Sequence, residues 1–290
     1  MNKFYIHIPL FFLTISIYVN NIILAAEPAP KKDTTHKPAH KLAHKPARHY
    51  LTSEEVYEQN KHLLCTNSEE AKNAEELMKD AVEYLTYYAV YESRYDLCMS
   101  LTTYDMHLHR KKIEDSKYIQ HINLTTYDVE EYDKLINEIW DPNHPNPFNK
   151  GTVKIARVYD PSLVIIQQRY KKKIGSPQKY FYALAKKVEI SEGKTVIVMT
   201  SANINDHNPS NKEYKNIIIE KANSFTTDID SEEDIRKGKL KKAYVNISGY
   251  LIEKFRKCVE VTYIESIEGH AIIKSRLGLG KCLGCYSVDI

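Results

Sequence analysis

Three side chains near the middle of the chain are of the types used in hydrolysis by an activated serine: Ser201, Asp206 and His207. Such a serine needs an adjacent base and a strained turn, and the G-x-S-x-G sequence that forms this turn in many hydrolases is absent around Ser201. The sequence also contains no HExxH motif and no glycine-rich phosphate-binding loop. We therefore interpret the three residues as part of a polar loop and predict that the protein is not an enzyme.

The five cysteines are the next candidates for chemistry. Cys282 and Cys285 have the C-x-x-C spacing of metal and redox sites, but no second pair accompanies them and they lie beside the chain end. An odd and small number of cysteines excludes a disulfide scaffold, although Cys65 and Cys98, which flank a predicted helix, could pair. We predict no metal site and no cofactor.

The first 26 residues have the features of a secretory signal peptide. Lys3 precedes an apolar run from Ile6 to Val19, and the small residues Ala25 and Ala26 follow. The run is short for a membrane-spanning helix, which needs about 20 apolar residues, but an uncleaved anchor remains an alternative. We expect a secreted protein.

Residues 27–50 are predicted to be a disordered basic linker. They contain the repeats HKPA, HKLA and HKPA, and six Lys and Arg stand against two acidic residues. Pro38 and Pro46 would break any helix that aligned the histidines, so we favour a solvated tether over a metal site. Because the whole chain has a net charge of only +3, the basic character lies in this leader. We expect no nucleic-acid partner; the one contact that we retain for the linker is an acidic or phospholipid surface.

The elements that would position a site are one long helix and many strands. Ser68 opens SEEAKNAEELMKDAVEYLTYYAVYES, whose apolar residues recur at helical spacing, and EEYDKLINEIWDP is a shorter helix stopped by Pro142. From Val153 strands follow one another through short turns such as DPS and SEGK, which indicates an antiparallel sheet. The polar segment 205–240 is the one long insertion. This order is typical of an α+β domain, here over residues 51–275, in which a curved sheet and a helix enclose a hydrophobic cavity.

Several pieces together resemble START domains, which have the helix-grip lipid-transfer fold. They are Trp140-Asp141-Pro142 after a short helix, LVIIQQRY leading to KYFYALAKKVEI, then SGYLIE and VEVTYIESIEGH. Over about residues 51–274, ANINDHNPSNKEYKN and DIDSEEDIRKGKLKKAYVNISGYLIEK are also similar to the fam-a family of rodent malaria parasites, which are secreted START-like proteins.

The resemblance implies a START-like helix-grip fold that binds a phospholipid, with phosphatidylcholine the usual suggestion for the family. It implies transfer of that lipid between membranes of the infected red cell, with transient contact to a membrane surface, by a monomer. The expected location is the parasitophorous vacuole or the host erythrocyte. The alternative function is an exported surface or antigenic interaction protein that uses the START scaffold without efficient lipid transfer, with the insertion 205–240 as its variable surface.

The sequence departs from the START pattern in two places. Many START domains bury an acid on the strand matching VIIQQRY against an Arg on the strand matching YFYALA, and here Gln167 and Ala185 stand at those positions. Headgroup recognition is then assigned by hypothesis to Arg157 or Arg169. After EGHAIIK, the atypical tail 276–290 contains glycines that oppose helix formation, so the C-terminal helix that closes START pockets is expected to be lost or altered.

The predicted lipid-binding residues all lie on predicted strands. They are Arg157, Ile165, Gln167, Arg169, Phe181, Ala183, Ala185, Met199 and Tyr250. Because side chains alternate along a strand, the inward parity of Ala185 places Phe181 and Ala183 towards the cavity and Tyr182 and Leu184 away from it. The small alanines would leave room for acyl chains, so Ala183→Trp is predicted to block lipid uptake.

Overall fold

The computed structural model describes residues 50–91, 95–101, 106–114, 117–144, 151–172, 174–210 and 213–269. The predicted signal peptide, nearly all of the predicted linker, Cys282, Cys285 and the tail with its expected loss of the closing helix lie outside these residues. Within the described ranges, no helix is both long enough and apolar enough to cross a bilayer.

Four α-helices occur in the described residues: α1 (Ser53–Asn60), α2 (Ser68–Val90), α3 (Tyr132–Trp140) and α4 (Glu233–Arg236). Short 3-10 turns follow α1 at Lys61–Leu63, precede α3 at Val129–Glu131 and lie at Glu220–Asn223. The capping box that begins α1 is present, because the Thr52 hydroxyl accepts from the Glu55 amide while the Glu55 carboxylate accepts from the Thr52 amide. Asn67 caps α2 by accepting from the amides of the two glutamates at positions 69 and 70.

Twelve strands are seen in the described part of the chain. In chain order they are β1 (Asp96–Leu101), β2 (Met106–Glu114), β3 (Lys117–Thr126), β4 (Gly151–Asp160), β5 (Leu163–Tyr170), β6 (Lys179–Ser191), β7 (Lys194–Thr200), β8 (Asn203–Asn205), β9 (Thr226–Asp228), β10 (Lys241–Lys242), β11 (Tyr244–Lys254) and β12 (Val259–Glu268). The main sheet has the order β1-β2-β3-β12-β11-β7-β6-β5-β4, and every pair along this path is antiparallel. Strand β10 joins β6 in parallel, and β8 pairs with β9 separately. The predicted α+β class is confirmed.

The two faces of the main sheet are covered by different helices. Helix α2 packs on β6, β7, β11 and β12, and its apolar stripe, including Leu77, Met78 and Leu85, is fully buried there. We call this the helix face. Helix α1 contacts β4 and helix α3 contacts β11. The second face, which we call the cleft face, carries Ala185 and Met199 and is lined by residues of α1 and α3.

The segment 205–240 is not a solvated insertion. Its residues Ile219, Phe225 and Ile235 are buried in the same apolar cluster as α2, and β9 and α4 lie within it. The polar insertion 205–240 therefore contributes to the core as well as to the surface. The sequence pattern does not reveal this burial, because the apolar residues of the segment are isolated. They recur with neither the 2-residue period of a strand nor the 3.6-residue period of a helix.

Candidate functional site

An apolar cleft lies on the cleft face of the sheet. Its lining comes from β4, β5, β6, β7 and β11, from Val56 of α1, and from the end of α3 with the residues that follow it. Among the lining side chains are Val164, Ile166, Ile197 and Met199. The volume of the cleft is about 70 Å³, whereas pockets for small molecules are typically about 300–1,000 Å³. A larger apolar ligand can therefore enter only when the elements around the cleft move apart.

Strand β6 divides its side chains between the two faces as predicted. Tyr180, Tyr182 and Leu184 belong to the apolar cluster on the helix face, whereas Ala185 lines the cleft. Since side chains alternate along a strand, Phe181 and Ala183 share the face of Ala185. The predicted orientation of this strand is confirmed, and contact with a lipid stays a prediction.

Two more of the predicted residues line the cleft. Met199 lies opposite Ala185 on β7, and Tyr250 lies on β11, where its ring contacts the ring of Tyr263 with centroids 4.8 Å apart. The structure thus brings together five of the nine predicted residues on one face: Phe181, Ala183, Ala185, Met199 and Tyr250.

The other four lie on the helix face. Ile165 is fully buried in the apolar cluster with α2. Arg157 bridges β4, α2 and β9: it donates to Glu70 Oε1 at 2.7 Å and to the carbonyl of Asp228 at 2.7 Å. Burial of Glu70 raises its pKa, but hydrogen bonds from Tyr159 and Arg157 outweigh that effect and leave the pKa below its usual value. Arg157 is therefore a structural ion-pair partner and does not reach the cleft.

Arg169 and Gln167 fasten the segment around α4 to strand β5. The Arg169 guanidinium forms a bidentate salt bridge with Asp234, with N–O distances of 2.6 and 2.9 Å. Gln167 Nε2 donates a hydrogen bond to Glu232 Oε2 at 2.6 Å. Neither residue is available to a headgroup in the cleft. The hypothesis that Arg157 or Arg169 recognises the headgroup there is not supported by their positions.

The resemblance assigns Gln167 and Ala185 to the positions where many START domains bury an acid against an Arg. These two residues do not face each other in the structure. Gln167 lies opposite Tyr182, and Ala185 lies opposite Val164, so Gln167 and Ala185 face opposite sides of the sheet. The polar residue that β5 does present to the cleft is Gln168, which is 1% exposed. A shift of one residue along a strand exchanges the two faces, so Gln168 shares the face of Ala185 where Gln167 does not.

Lowering the pH is expected to weaken the contact between strand β5 and the segment around α4, because Glu232 forms part of that contact. Burial raises the pKa of this carboxyl, but hydrogen bonds from Lys154 and Gln167 prevail and lower it from 4.5 to about 2. Because the folded pKa lies below the unfolded value, this contribution to stability is present above pH ~4.5 and is lost as the pH falls towards ~2. The Glu232 side chain is 36% exposed, so screening by solvent limits the contribution to about 1 kcal/mol.

The corresponding test is urea unfolding of Glu232→Gln across this range. The variant should be less stable than wild type near pH 7 and should lose less further stability between about pH 5 and about pH 3. Glu233→Gln is the matched control, because Glu233 is 75% exposed and pairs with Lys237 at the surface. Equal pH slopes for wild type and Glu232→Gln would contradict the assignment.

One end of the cleft is polar and was not identified from the sequence. Asp141, which is 3% exposed, accepts from the amides of Leu51 and Asn143 and contacts His144 Nδ1 at 3.0 Å. Burial raises the pKa of Asp141, but these hydrogen bonds lower it overall. Trp140, Asp141 and His144 all line the cleft. The sequence feature that marks this position is the motif Trp140-Asp141-Pro142.

The candidate hydrolytic residues do not form a triad. The Ser201 hydroxyl donates to the carbonyl of Tyr182 at 2.7 Å, and Asp206 accepts from Tyr180 and Lys242, each at 2.8 Å. His207 Nε2 lies 3.1 Å from Asp228 Oδ1. Each of the three side chains thus makes a separate structural contact, and Ser201 and Asp206 are buried.

The thiols and imidazoles of the described residues do not assemble into a metal site. No group of three His, Cys, Asp or Glu there has the arrangement to hold a metal ion. No disulfide joins Cys65 and Cys98, so the pairing suggested by their positions around α2 is not formed.

Comparison with known proteins gives similarities at the level of solved structures. No protein-family model and no curated protein sequence matches the chain. The chain is similar to human STARD10, with 12% identity over 69% of this chain and 71% of that one and a TM-score of 0.45. It is similar to human StAR-related lipid transfer protein 5, with 9% identity, coverage of 72% and 88%, and a TM-score of 0.47.

A third similar structure is the lipid transfer and protein localization domain of human StarD13, with 18% identity, coverage of 64% and 81%, and a TM-score of 0.38. At such identities the likeness concerns the fold alone. The similarity to the fam-a family stays a prediction. The class of the fold rests on the chain's own architecture, a large antiparallel sheet with α2 on one face and a cleft beside α1 and α3 on the other.

Proposed function

We propose that the protein binds one lipid in the cleft and carries it between membranes. The observation that carries this proposal is the apolar surface on the cleft face, where apolar side chains of β4, β5, β6 and β7 and the ring of Tyr250 on β11 converge beside α1 and α3. The helix face is covered by α2, and this second apolar face is covered in part by α1 and α3. Such a surface is suited to an apolar ligand.

The energetics of an acyl chain in this cleft favour exchange. Burying a chain contributes about 0.8 kcal/mol per CH₂ relative to water but almost nothing relative to a bilayer. Transfer between membranes therefore needs no chemical step. Entry of a lipid requires the cleft to widen beyond its ~70 Å³, and α3 is the element that we expect to move. Its first residue is held to β7 by a hydrogen bond between Tyr132 and Thr195, 2.9 Å long.

We further propose phosphatidylcholine as the ligand and a monomer that touches membranes transiently. We propose that it is secreted and acts in the vacuole or the red cell of a malaria infection. These finer statements are supported by the resemblance of residues 51–274 to the fam-a family and by the predicted signal peptide.

The direct test is to purify the full chain and to measure lipid by native mass spectrometry and by transfer of fluorescent phosphatidylcholine between vesicles. We expect one lipid per chain and transfer that increases with protein concentration. A folded protein that contains no lipid and neither takes up nor moves phosphatidylcholine would contradict the proposal. In that case the interaction-protein alternative would be preferred.

A further inference from the structure

The indole of Trp140 is a buried hydrogen-bond donor at one end of the cleft. Trp140 ends α3, is 8% exposed and lines the cleft, and its Nε1 has no hydrogen-bond partner among the described residues. Leaving a buried N–H without an acceptor is unfavourable, because the group loses its hydrogen bond to water. A ligand that brings an acceptor to this position would recover that free energy.

A positive charge lies beside this indole. Lys187 follows Ala185 by two residues on β6 and lies opposite Ile197, so its side chain is on the cleft face. Its Nζ is 5.8 Å from the centroid of the Trp140 ring. No carboxylate of the described residues forms an ion pair with Lys187, although Glu54 of α1 is near enough to act on its charge. Burial lowers the pKa of this ammonium, as expected for a cation withdrawn from water without a close counter-ion.

Two other ionisable residues, Asp141 and His144, line this end of the cleft. The carboxylate of Asp141 is occupied by two backbone amides and by His144. That contact also fixes the ring of His144, which lines the cleft. Ser53 adds a further buried hydroxyl with no partner among the described residues, three positions before Val56 and on the same side of α1.

We propose that Lys187 and the Trp140 indole bind the phosphate group of the lipid at the α3 end of the cleft. This inference rests on the proposed function and adds the residues that bind the phosphate group. Phosphate oxygens are acceptors only, and both protein groups are donors, one of them charged. The acyl chains then lie along the aliphatic floor that includes Ala185 and Met199. A neutral lipid of the same chain length offers no anion to Lys187 and binds more weakly.

The test compares dioleoylphosphatidylcholine with dioleoylglycerol, because the two carry the same chains and differ in the phosphate headgroup. Using the full chain, we expect wild type to bind the phospholipid about tenfold or more tightly than the neutral lipid, the scale of one charge-assisted hydrogen bond. Lys187→Met should lose most of this preference, and Trp140→Phe, which keeps a ring, should lose part of it. In each variant, the affinity for dioleoylglycerol should change less than the affinity for dioleoylphosphatidylcholine.

Lys172→Met is the matched control, because it makes the same chemical change at an exposed position after β5. Thermal unfolding separates ligand binding from structure: removal of a half-buried, unpaired ammonium should leave Lys187→Met as stable as wild type or more stable. A marked loss of stability with unchanged lipid preference would assign Lys187 a structural role and overturn the inference.

The remaining outcomes separate this inference from the proposed function. If wild type binds both lipids equally, the phosphate site is wrong while lipid binding stands. If wild type binds neither, the proposed function fails and the inference fails with it. An excess of inorganic phosphate should not displace the phospholipid. Displacement in wild type but not in Lys187→Met would assign the site to free phosphate and overturn its assignment to a lipid.

Discussion

Replacing Ala185 with tryptophan is expected to abolish lipid uptake while the chain still folds. Ala185 is 6% exposed, lines the cleft and lies between Val164 on β5 and Met199 on β7. An indole at this position occupies more space than the ~70 Å³ that the cleft encloses. Overpacking costs typically about 1–3 kcal/mol, which most domains tolerate. Transfer of fluorescent phosphatidylcholine between vesicles should fall about tenfold or more, equivalent to ~1.4 kcal/mol or more.

The matched control is Ile190→Trp, which places the same indole at the exposed end of the same strand, where Ile190 is 40% exposed. Transfer by this variant should equal that of wild type. Ala183→Trp should act as Ala185→Trp does, because Ala183 lies on the same face, opposite Ile166 of the cleft. If Ala185→Trp folds and takes up lipid at the wild-type level, the cleft is not the lipid site.

Strand β6 was predictable because local sequence determines its orientation. The turn SEGK joins β6 to β7 and fixes their register, and alternation then assigns every residue to a face. Both faces of the strand are apolar for different reasons. Tyr182 and Leu184 complete the core under α2, and Ala185 forms part of the cleft. The segment KYFYALAKKVEI is rich in apolar residues because it contributes to two separate apolar surfaces.

The roles of the arginines were not predictable from local sequence. Arg157 pairs with Glu70, which is 87 residues away in the chain, and Arg169 pairs with Asp234, 65 residues away. No spacing rule relates such positions, since the partners meet only after α2 and the segment around α4 have packed on the sheet. A charged residue on a strand is equally compatible with a ligand contact and with an ion pair of this kind.

Gln167 and Gln168 show how a small error changes a site. They are adjacent and chemically identical, yet Gln167 contacts Glu232 on the helix face and Gln168 lines the cleft. Resemblance alone assigned Gln167 to the cavity, whereas the pairing of β5 with β6 gives the cleft to the residues that share a face with Ala185. Register is therefore a stricter criterion than alignment for choosing site residues on a sheet.

Replacing Gly249 with alanine is expected to prevent folding. Gly249 lies in β11 and lines the cleft, and the backbone of the neighbouring strand leaves no room for a side chain there. An added Cβ would lie 2.1 Å from the carbonyl oxygen of Ile197 and 2.8 Å from the Cα of Val198. Both are backbone atoms of the neighbouring strand β7, so no rotamer change relieves the clash, and a φ of 157° adds backbone strain. We expect a loss of about 4 kcal/mol or more, a large share of the ~5–15 kcal/mol typical of a domain.

Urea unfolding, or the yield of soluble folded protein, measures the effect of Gly249→Ala. Gly175→Ala is the control, since Gly175 also has a positive φ, of 78°, but an added Cβ there would meet nothing within 4 Å. The free energy of unfolding of Gly175→Ala should fall by only about 1–2 kcal/mol, the cost of holding a residue with a Cβ in the left-handed conformation. A Gly249→Ala variant that unfolds at the wild-type urea concentration would show that β7 and β11 can separate locally at little cost. The close packing of β7 against β11 at Gly249 would then be incorrect.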